Sequence, residues 1–265
     1  MRLNFGTFYE GRSIRARFAV PLDDHPLIVK LSTFMKLNVQ DLKSLEQIFE
    51  AEKLVKKGKE LVVDGKEYRN LCFVKDGYAL RYKLLRNGKR QILNVLLPGD
   101  VIGFPVSFFE RSTYSVVALT ELKLNICTID AYVGLCFERP QFGLALSWLA
   151  VKEAAIYAER IVDIGRRTPV ERLVHFLLEL HSRLLTVGLA EKNSFKLPIS
   201  QEVIADALGL SVPHLNRVMQ HLRKEKLISN SGRVVEFFDM PALQTLAHYQ
   251  PLVFAQIPLP GNGRA

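Results

Sequence analysis

Apolar and polar positions follow three rhythms along the chain. Residues 25–50, HPLIVKLSTFMKLNVQDLKSLEQIFE, give two short helical patterns, the second marked by the stripe Leu42, Leu45, Ile48 and Phe49. Asn38 stands where it can cap that second helix. From residue 52 to 130 the rhythm changes to short apolar runs broken by turn signals: Gly58, Asp64-Gly65, Asp76-Gly77, Asn87-Gly88 and Pro98-Gly99-Asp100. The segment ALRYKLLRNGKRQILNVLL sets two runs around Asn87-Gly88, and the dipeptide predicts a type I′ hairpin because both residues tolerate positive φ. YSVVAL and LKLNICTI continue the series. Short strands at about ten-residue spacing predict an antiparallel sandwich or roll.

After Pro140 the period becomes that of a long helix. Leu144, Trp148, Val151, Ala155, Ala158, Val162 and Gly165 repeat with spacings of four and three, a heptad seam flanked by Glu153, Glu159, Arg160 and Asp163. The first six of these positions are the expected dimer interface, with packing on the chain's own domain as the alternative. RRTPVERLVHFLLELHSRLL then opens a new helix: Thr168 at the N-cap, Pro169 at the first helical position and Glu171 completing a capping box. A hinge is expected near Gly165–Arg167. TVGLAEKNSFK reads as a polar loop. A helix over Gln201–Leu208, a turn at Gly209, a helix from Val212 to about Lys226 and a ribbon in LISNSGRVVEFF turning at Ser231-Gly232 follow. Residues 1–24 show no period and form an arm with Arg2, Arg12, Arg15 and Arg17. The end, QPLVFAQIPLPGNGRA, is rich in Pro and Gly and reads as a loose tail.

Composition narrows the function classes. The 265 residues carry a net charge of +9 and a pI near 9.5, which suits a nucleic acid or an anionic membrane surface. No run of about 18 uncharged apolar residues is present, so no membrane span is expected. The N-terminus lacks an apolar export signal, which points to the cytoplasm. Cys72, Cys127 and Cys136 have no metal-ligand spacing and read as buried, reduced thiols. His175 and His181 are six apart and His214 and His221 seven apart, poor spacings for two ligands on one short helix. GxSxG, P-loop, HExxH and GxGxxG patterns do not occur, so an enzyme is not expected. Asp100 after Gly99 reads as a turn residue.

The stretch ALGLSVPHLNRVMQHLRKEKLI, residues 207–228, carries the most chemistry. Two short helices joined by a tight Gly turn are the helix-turn-helix signature. Ser211 can cap the second helix, and Pro213 falls in its first turn, where no N–H is needed. At about 100° per residue, Leu215, Val218, Met219 and Leu222 point inward, while Pro213, Arg217, Gln220, His221 and Lys224 point outward. His214 and Asn216 lie on the flanks, and Val212 sits nearer the inner face. Arg can pair with guanine, and Asn or Gln with adenine, in the major groove. Arg233 on the following ribbon reads as the tip of a wing.

Taken in order, the elements resemble the Crp/Fnr family of bacterial transcription regulators over about residues 25–245. The motifs that carry the resemblance are SQEVIADALGLSVPHLNRVMQHLRKEKLI and LLPGDVIGFPVSFF. It implies an α+β fold: an N-terminal antiparallel β-roll (a double-stranded β-helix of the cyclic-nucleotide-binding kind), a long dimerisation helix and a C-terminal winged helix-turn-helix. The implied divisions are an arm to 24, a sensor roll over 25–137, the helix over 138–165, the reading head over 166–245 and a tail from 246. The resemblance implies double-stranded DNA, a second copy of the chain and RNA polymerase as partners, and no membrane. It places Arg217 at a frequent base-contacting position and Gln201 and Ser211 where phosphates are touched. Effector contacts would fall at Gly103, Phe104, Arg111, Ser112 and Thr113. The sequence departs from the family at this point. Cyclic-AMP binders have Gly-Glu in the cassette, whereas Gly103-Phe104 stands here, so the carboxylate for the ribose hydroxyl is missing and cyclic AMP is not implied. No cysteine precedes Cys72, so neither is the iron–sulfur cluster of the oxygen-sensing branch. Val212-Pro213-His214-Leu215-Asn216-Arg217 keeps only the final arginine of the well-known recognition helices, so a different operator is expected. The alternative is a small-molecule-binding or protein-interaction module whose helix-turn-helix no longer reads DNA.

Overall fold

A computed structural model describes residues 24–253. The expected arm, apart from Asp24, and the last part of the expected tail lie outside the described residues. Helix α1, Pro26–Ser32, is capped by His25, whose Nδ1 accepts the Leu27 amide at 3.1 Å. Burial, partly offset by a hydrogen bond to Asn125, pushes the imidazole pKa down. Helix α2, Val39–Ile48, begins at the expected Asn38 in a reciprocal capping box with Asp41.

Eight antiparallel strands form the roll: β1 Ala51–Val55, β2 Glu60–Val62, β3 Asn70–Asp76, β4 Ala79–Leu84, β5 Arg90–Leu96, β6 Val101–Ile102, β7 Ser115–Ala118 and β8 Leu122–Thr128. They pair as two four-stranded sheets, ordered β1-β8-β3-β6 and β2-β7-β4-β5. Val62, Cys72, Val74, Ala79, Leu96, Val116 and Leu124 fill the space between them. The second face of each sheet is also covered, which explains the continuous apolar runs. Leu71, Phe73 and Cys127 pack under α1, α2 and the helices that follow the roll. Leu80, Ile92 and Val95 share one core with the C-terminal domain.

The β4–β5 hairpin is not type I′. Leu85 N–H bonds to Lys89 O at 2.8 Å and Gly88 N–H to Leu85 O at 2.9 Å, a three-residue loop in which Gly88 (φ 77°) has positive φ and Asn87 does not. This is the type I turn followed by a glycine bulge, the next commonest hairpin connection. The extra residue turns Leu84 and Leu85 out to solvent at the tip.

Helix α3, Ile129–Glu138, closes the roll, and α4, Gln141–Gly165, crosses beneath it. Trp148 is a correction to the expected seam. It is 5% exposed and stacks on Phe34 at 5.0 Å, so it belongs to the chain's own core. The apolar surface of α4 that stays open runs through Leu144, Val151, Ala154, Ala158, Ile161, Val162 and Gly165, with Ala155 half-buried at its edge.

Helix α5, Pro169–Thr186, starts at the expected Thr168–Glu171 capping box. The segment expected as a polar loop folds into a hairpin, β9 Ala190–Glu191 and β10 Ser194–Lys196. Phe195 within it is buried among His181 and Phe237, which anchors the hairpin to the head. Then come α6 Gln201–Leu208, α7 Val212–Lys224, β11 Ile228–Ser231, β12 Val234–Phe237 and α8 Met240–Leu246. The expected two-stranded ribbon is thus part of a four-stranded sheet, β11-β12-β10-β9. Its turn falls one residue later than expected, because Ser231 pairs with Val234 and both Gly232 (φ 58°) and Arg233 (φ 69°) are left-handed. The tail does not come loose at residue 246: Ala247 is fully buried, and Tyr249 packs edge-on against His175 at 5.3 Å.

Candidate nucleic-acid interface

The head presents α7 on a rigid mount. Ser200 caps α6, and Gly209 (φ 64°) ends it in the left-handed region. Ser211 caps α7 as expected, its Oγ accepting the His214 amide at 3.4 Å, with Pro213 in the first turn. Leu215, Val218, Met219 and Leu222 are all buried against the head core. Pro213, Arg217, Gln220, His221 and Lys224 are exposed, and His214 and Asn216 are half-buried on the flanks. Val212 is half-buried and packs on the head core, so its side chain is mostly committed to seating the helix. The outer face holds no carboxylate between Val212 and Lys224. His221, Arg223 and Lys224 fall in the last turn, where the helix dipole favours cations. Gln201 is exposed at the start of α6, Ser211 is exposed at the start of α7, and Arg233 projects at the ribbon turn.

One residue that holds this mount had no sequence signal. Arg172, early in α5, donates from Nη1 to Leu208 O at 2.6 Å and from Nη2 to Arg167 O at 3.1 Å and Ile164 O at 3.2 Å. It ties the C-terminal ends of α6 and α4 together across the expected hinge.

The roll cassette looks different. Gly103 (φ 102°) runs so close to β3 that a Cβ would lie 2.1 Å from Asn70 O, so only glycine fits. The Ser112 hydroxyl is buried and spent locally, donating to Tyr114 O at 2.6 Å and accepting the Tyr114 amide at 3.2 Å. Arg111 and Thr113 are exposed, and Arg111 reaches only Gly65 O at 3.2 Å. Between them and Phe104 lies Arg81, 1% exposed, over the Tyr114 ring at 4.4 Å. Its guanidinium donates to Glu153 at 2.5 Å and to the Tyr157 hydroxyl at 2.7 Å on α4. Burial works against this charge, but Glu153, Tyr114 and Tyr157 outweigh it and hold the guanidinium pKa above its ordinary value. The chain's own arginine therefore stands among the residues expected to meet an effector. The cavity beside Phe104 measures about 30 Å³, room for one water.

Asp100 does more than make a turn. It accepts the Leu97 amide at 2.8 Å and pairs with Lys30 of α1 and Arg183 of α5. Burial would raise its pKa, but Arg183 and Lys30 outweigh burial and hold it well below the carboxylate range. Arg183 continues to Glu179, Glu179 to Arg160 on α4, and Arg160 to Asp163. A buried line of charges thus joins roll, long helix and head. Among the described residues, no group of three His, Cys, Asp or Glu could hold a metal ion, and no helix is long and apolar enough to cross a membrane.

A helix-turn-helix head beneath a roll of this topology defines a class of DNA-binding regulators, and the comparisons agree. The Crp-like helix-turn-helix domain matches residues 171–246, and the cyclic nucleotide-binding domain matches residues 52–132. The nitrogen fixation regulation protein FixK of Azorhizobium caulinodans is 31% identical over 71% of this chain and 75% of its own. The transcriptional activator protein anr of Pseudomonas aeruginosa is 28% identical over 84% of this chain and 89% of its own. Among solved structures, FixK2 from Bradyrhizobium japonicum superposes with a TM-score of 0.69 at 25% identity, covering 76% of this chain and 98% of that one. The chain belongs to the Crp/Fnr family of DNA-binding transcription regulators.

Proposed function

We propose that the chain works in the cytoplasm as a homodimeric, sequence-specific regulator, without catalysis of its own, that meets RNA polymerase on DNA. The observation that carries this reading is the outer face of α7: exposed, basic and amide-bearing, free of carboxylates, and seated by four buried apolar side chains. Arg217, Asn216, His214 and Gln220 are the base-reading residues, with Pro213 and Val212 setting the approach at the helix start. Gln201, Ser211 and Arg233 meet phosphates. The roll over 25–137, the helix over 138–165 and the head over 166–245 divide the work of support, pairing and reading.

The open apolar stripe on α4 supports pairing with a second copy. Two copies would set their α7 helices about one DNA turn, roughly 34 Å, apart on a palindromic site. Ala158→Glu, which changes an exposed position central to the stripe, is expected to give monomers in sedimentation. An intact dimer would place the interface elsewhere.

The direct test is mobility shift on a selected operator and on random duplex at several salt concentrations. Arg217→Ala should cost about 1–3 kcal/mol on the operator and far less on random DNA. Equal losses on both would reduce Arg217 to a phosphate contact. If the unaltered protein binds both duplexes alike, the reading falls to that of an interaction module with an inactive head.

A further inference from the structure

With Arg81 standing in the roll cassette, the largest opening near the hinge lies elsewhere. A cleft of about 160 Å³ separates α4 from α5 and is closed on its third side by the chain after α8. Lys152, Ile156 and Glu159 line it from α4, Ser182, Arg183 and Thr186 from α5, and His248, Tyr249 and Leu252 from the closing segment. A void of this size is comparable to engineered cavities that take up benzene.

We propose that this cleft binds a small carboxylate carried on an apolar ring, its anionic end at Lys152 and its ring against Ile156 and Leu252. The charges around it support an anion. Glu159 already serves Arg167 and His175, and Glu179 already serves Arg160 and Arg183. The carboxylates of the lining are therefore matched by cations before any ligand arrives. Burial, with Lys30 and Arg183 nearby, brings the Lys152 pKa down to about 7, against the opposing pull of Asp100 and Glu179. The field at its ammonium is net positive, and a bound carboxylate relieves it. Ser182 and the Tyr249 hydroxyl add hydrogen-bonding groups on the opposite wall.

The cleft's position gives binding a consequence. Its two main walls are the helix that carries the open stripe and the first helix of the reading head, joined at the hinge through Gly165–Thr168. A ligand that bridges them favours one α4–α5 arrangement and so shifts operator affinity. This consequence rests on the DNA-reading function proposed above, whereas the binding itself does not.

Trp148 is the chain's single tryptophan, and the Lys152 ammonium lies 5.2 Å from its ring centre, so the site carries its own reporter. Full-length protein without DNA is titrated with benzoate and, separately, with the neutral isostere benzamide, while Trp148 emission is followed. A saturable change with benzoate at millimolar concentration, at least about tenfold tighter than with benzamide, is expected. Lys152→Met should abolish it by removing the charge. Thr186→Met should abolish it by filling the cleft while leaving Lys152 in place, with circular dichroism checking that each variant is folded. No saturable change, equal binding of benzamide, or unchanged binding by both variants overturns the site. Benzoate that binds in the cleft but leaves operator affinity unchanged overturns the coupling alone. Loss of operator binding by the unaltered protein, with benzoate still bound, counts against the DNA-reading function and not against the cleft.

Discussion

The reading head and the junction beneath it are held together by opposite means. Around α6 and α7 the buried side chains are Val203, Ile204, Ala205, Leu208, Leu215, Val218, Met219 and Leu222. Among the described residues beyond Arg183, every buried side chain is apolar. At the junction of α1, the roll, α4 and α5, the buried side chains include Lys30, Asp100, Arg160, Asp163, Glu179 and Arg183. An apolar core is non-directional and tolerates small shifts, so it suits a part that moves as one body. Buried ion pairs lose heavily when a single partner leaves, so they suit a contact between parts that has one correct arrangement. The contrast assigns rigidity to the head and choice of arrangement to the junction.

The largest test of the contrast compares Glu179→Ala with Leu222→Ala. Removing Glu179 strands Arg160 and Arg183 without their shared partner and is expected to cost about 3–5 kcal/mol in denaturant unfolding. Leu222, fully buried, should cost about 2–5 kcal/mol through the cavity it leaves. The two differ in what is lost: Leu222→Ala weakens the head, whereas Glu179→Ala frees α5 from α4 and should raise amide exchange at the junction. A loss under about 1 kcal/mol for Glu179→Ala, the scale of a surface pair, would mean the charges are solvated and the contrast is false.

Acid sharpens the same comparison. For Asp100, burial is outweighed by Arg183 and Lys30; for Asp163, burial is outweighed by His175, Arg160 and Arg167. Both aspartates are thus held below their ordinary pKa. A carboxylate with a depressed folded pKa stabilises fully above its unfolded value, and that stability is lost as pH falls toward the folded value. Unfolding free energy should therefore begin to drop below about pH 5. Asp100→Asn should flatten this drop, whereas Leu222→Ala should lower the whole curve without changing its slope. Equal slopes in all three proteins would remove Asp100 from the account.

The two regions also differ in how far the sequence discloses them. The inner face of α7 follows from local spacing, and its caps from Ser200, Ser211 and Gly209, because every partner lies within a few residues. The junction is non-local. Arg81 meets Glu153 on another element, and Asp100 meets Lys30 and Arg183 far away in both directions, pairings that no periodicity encodes. Trp148 shows the intermediate case. The heptad count was sound, but two adjacent rows of α4, one through Trp148 and one through Ala154 and Ile161, satisfy it almost equally. Phe34 decides between them by stacking on the tryptophan. The ribbon turn slipped by one residue for a related reason: Gly232 marks a turn, but only the pairing of β11 with β12 shows that Arg233 shares its left-handed conformation.

The smallest test concerns Ser211, to which two duties are assigned. Its hydroxyl accepts the His214 amide at the start of α7, and it is exposed where a phosphate would lie. As a cap alone, Ser211→Ala should cost about 1 kcal/mol of stability and Ser211→Gly only a few tenths, because glycine lets water reach the freed amide. Operator affinity would then be nearly unchanged in both, since α7 is still seated by Leu215 and Val218. With a phosphate contact as well, both variants lose the hydroxyl and should lose operator affinity by the same factor, despite their different stabilities. Melting curves and operator titrations on the same two proteins separate the cases. Affinity that tracks stability makes Ser211 part of the mount, and affinity that falls equally in both makes it part of the reading surface.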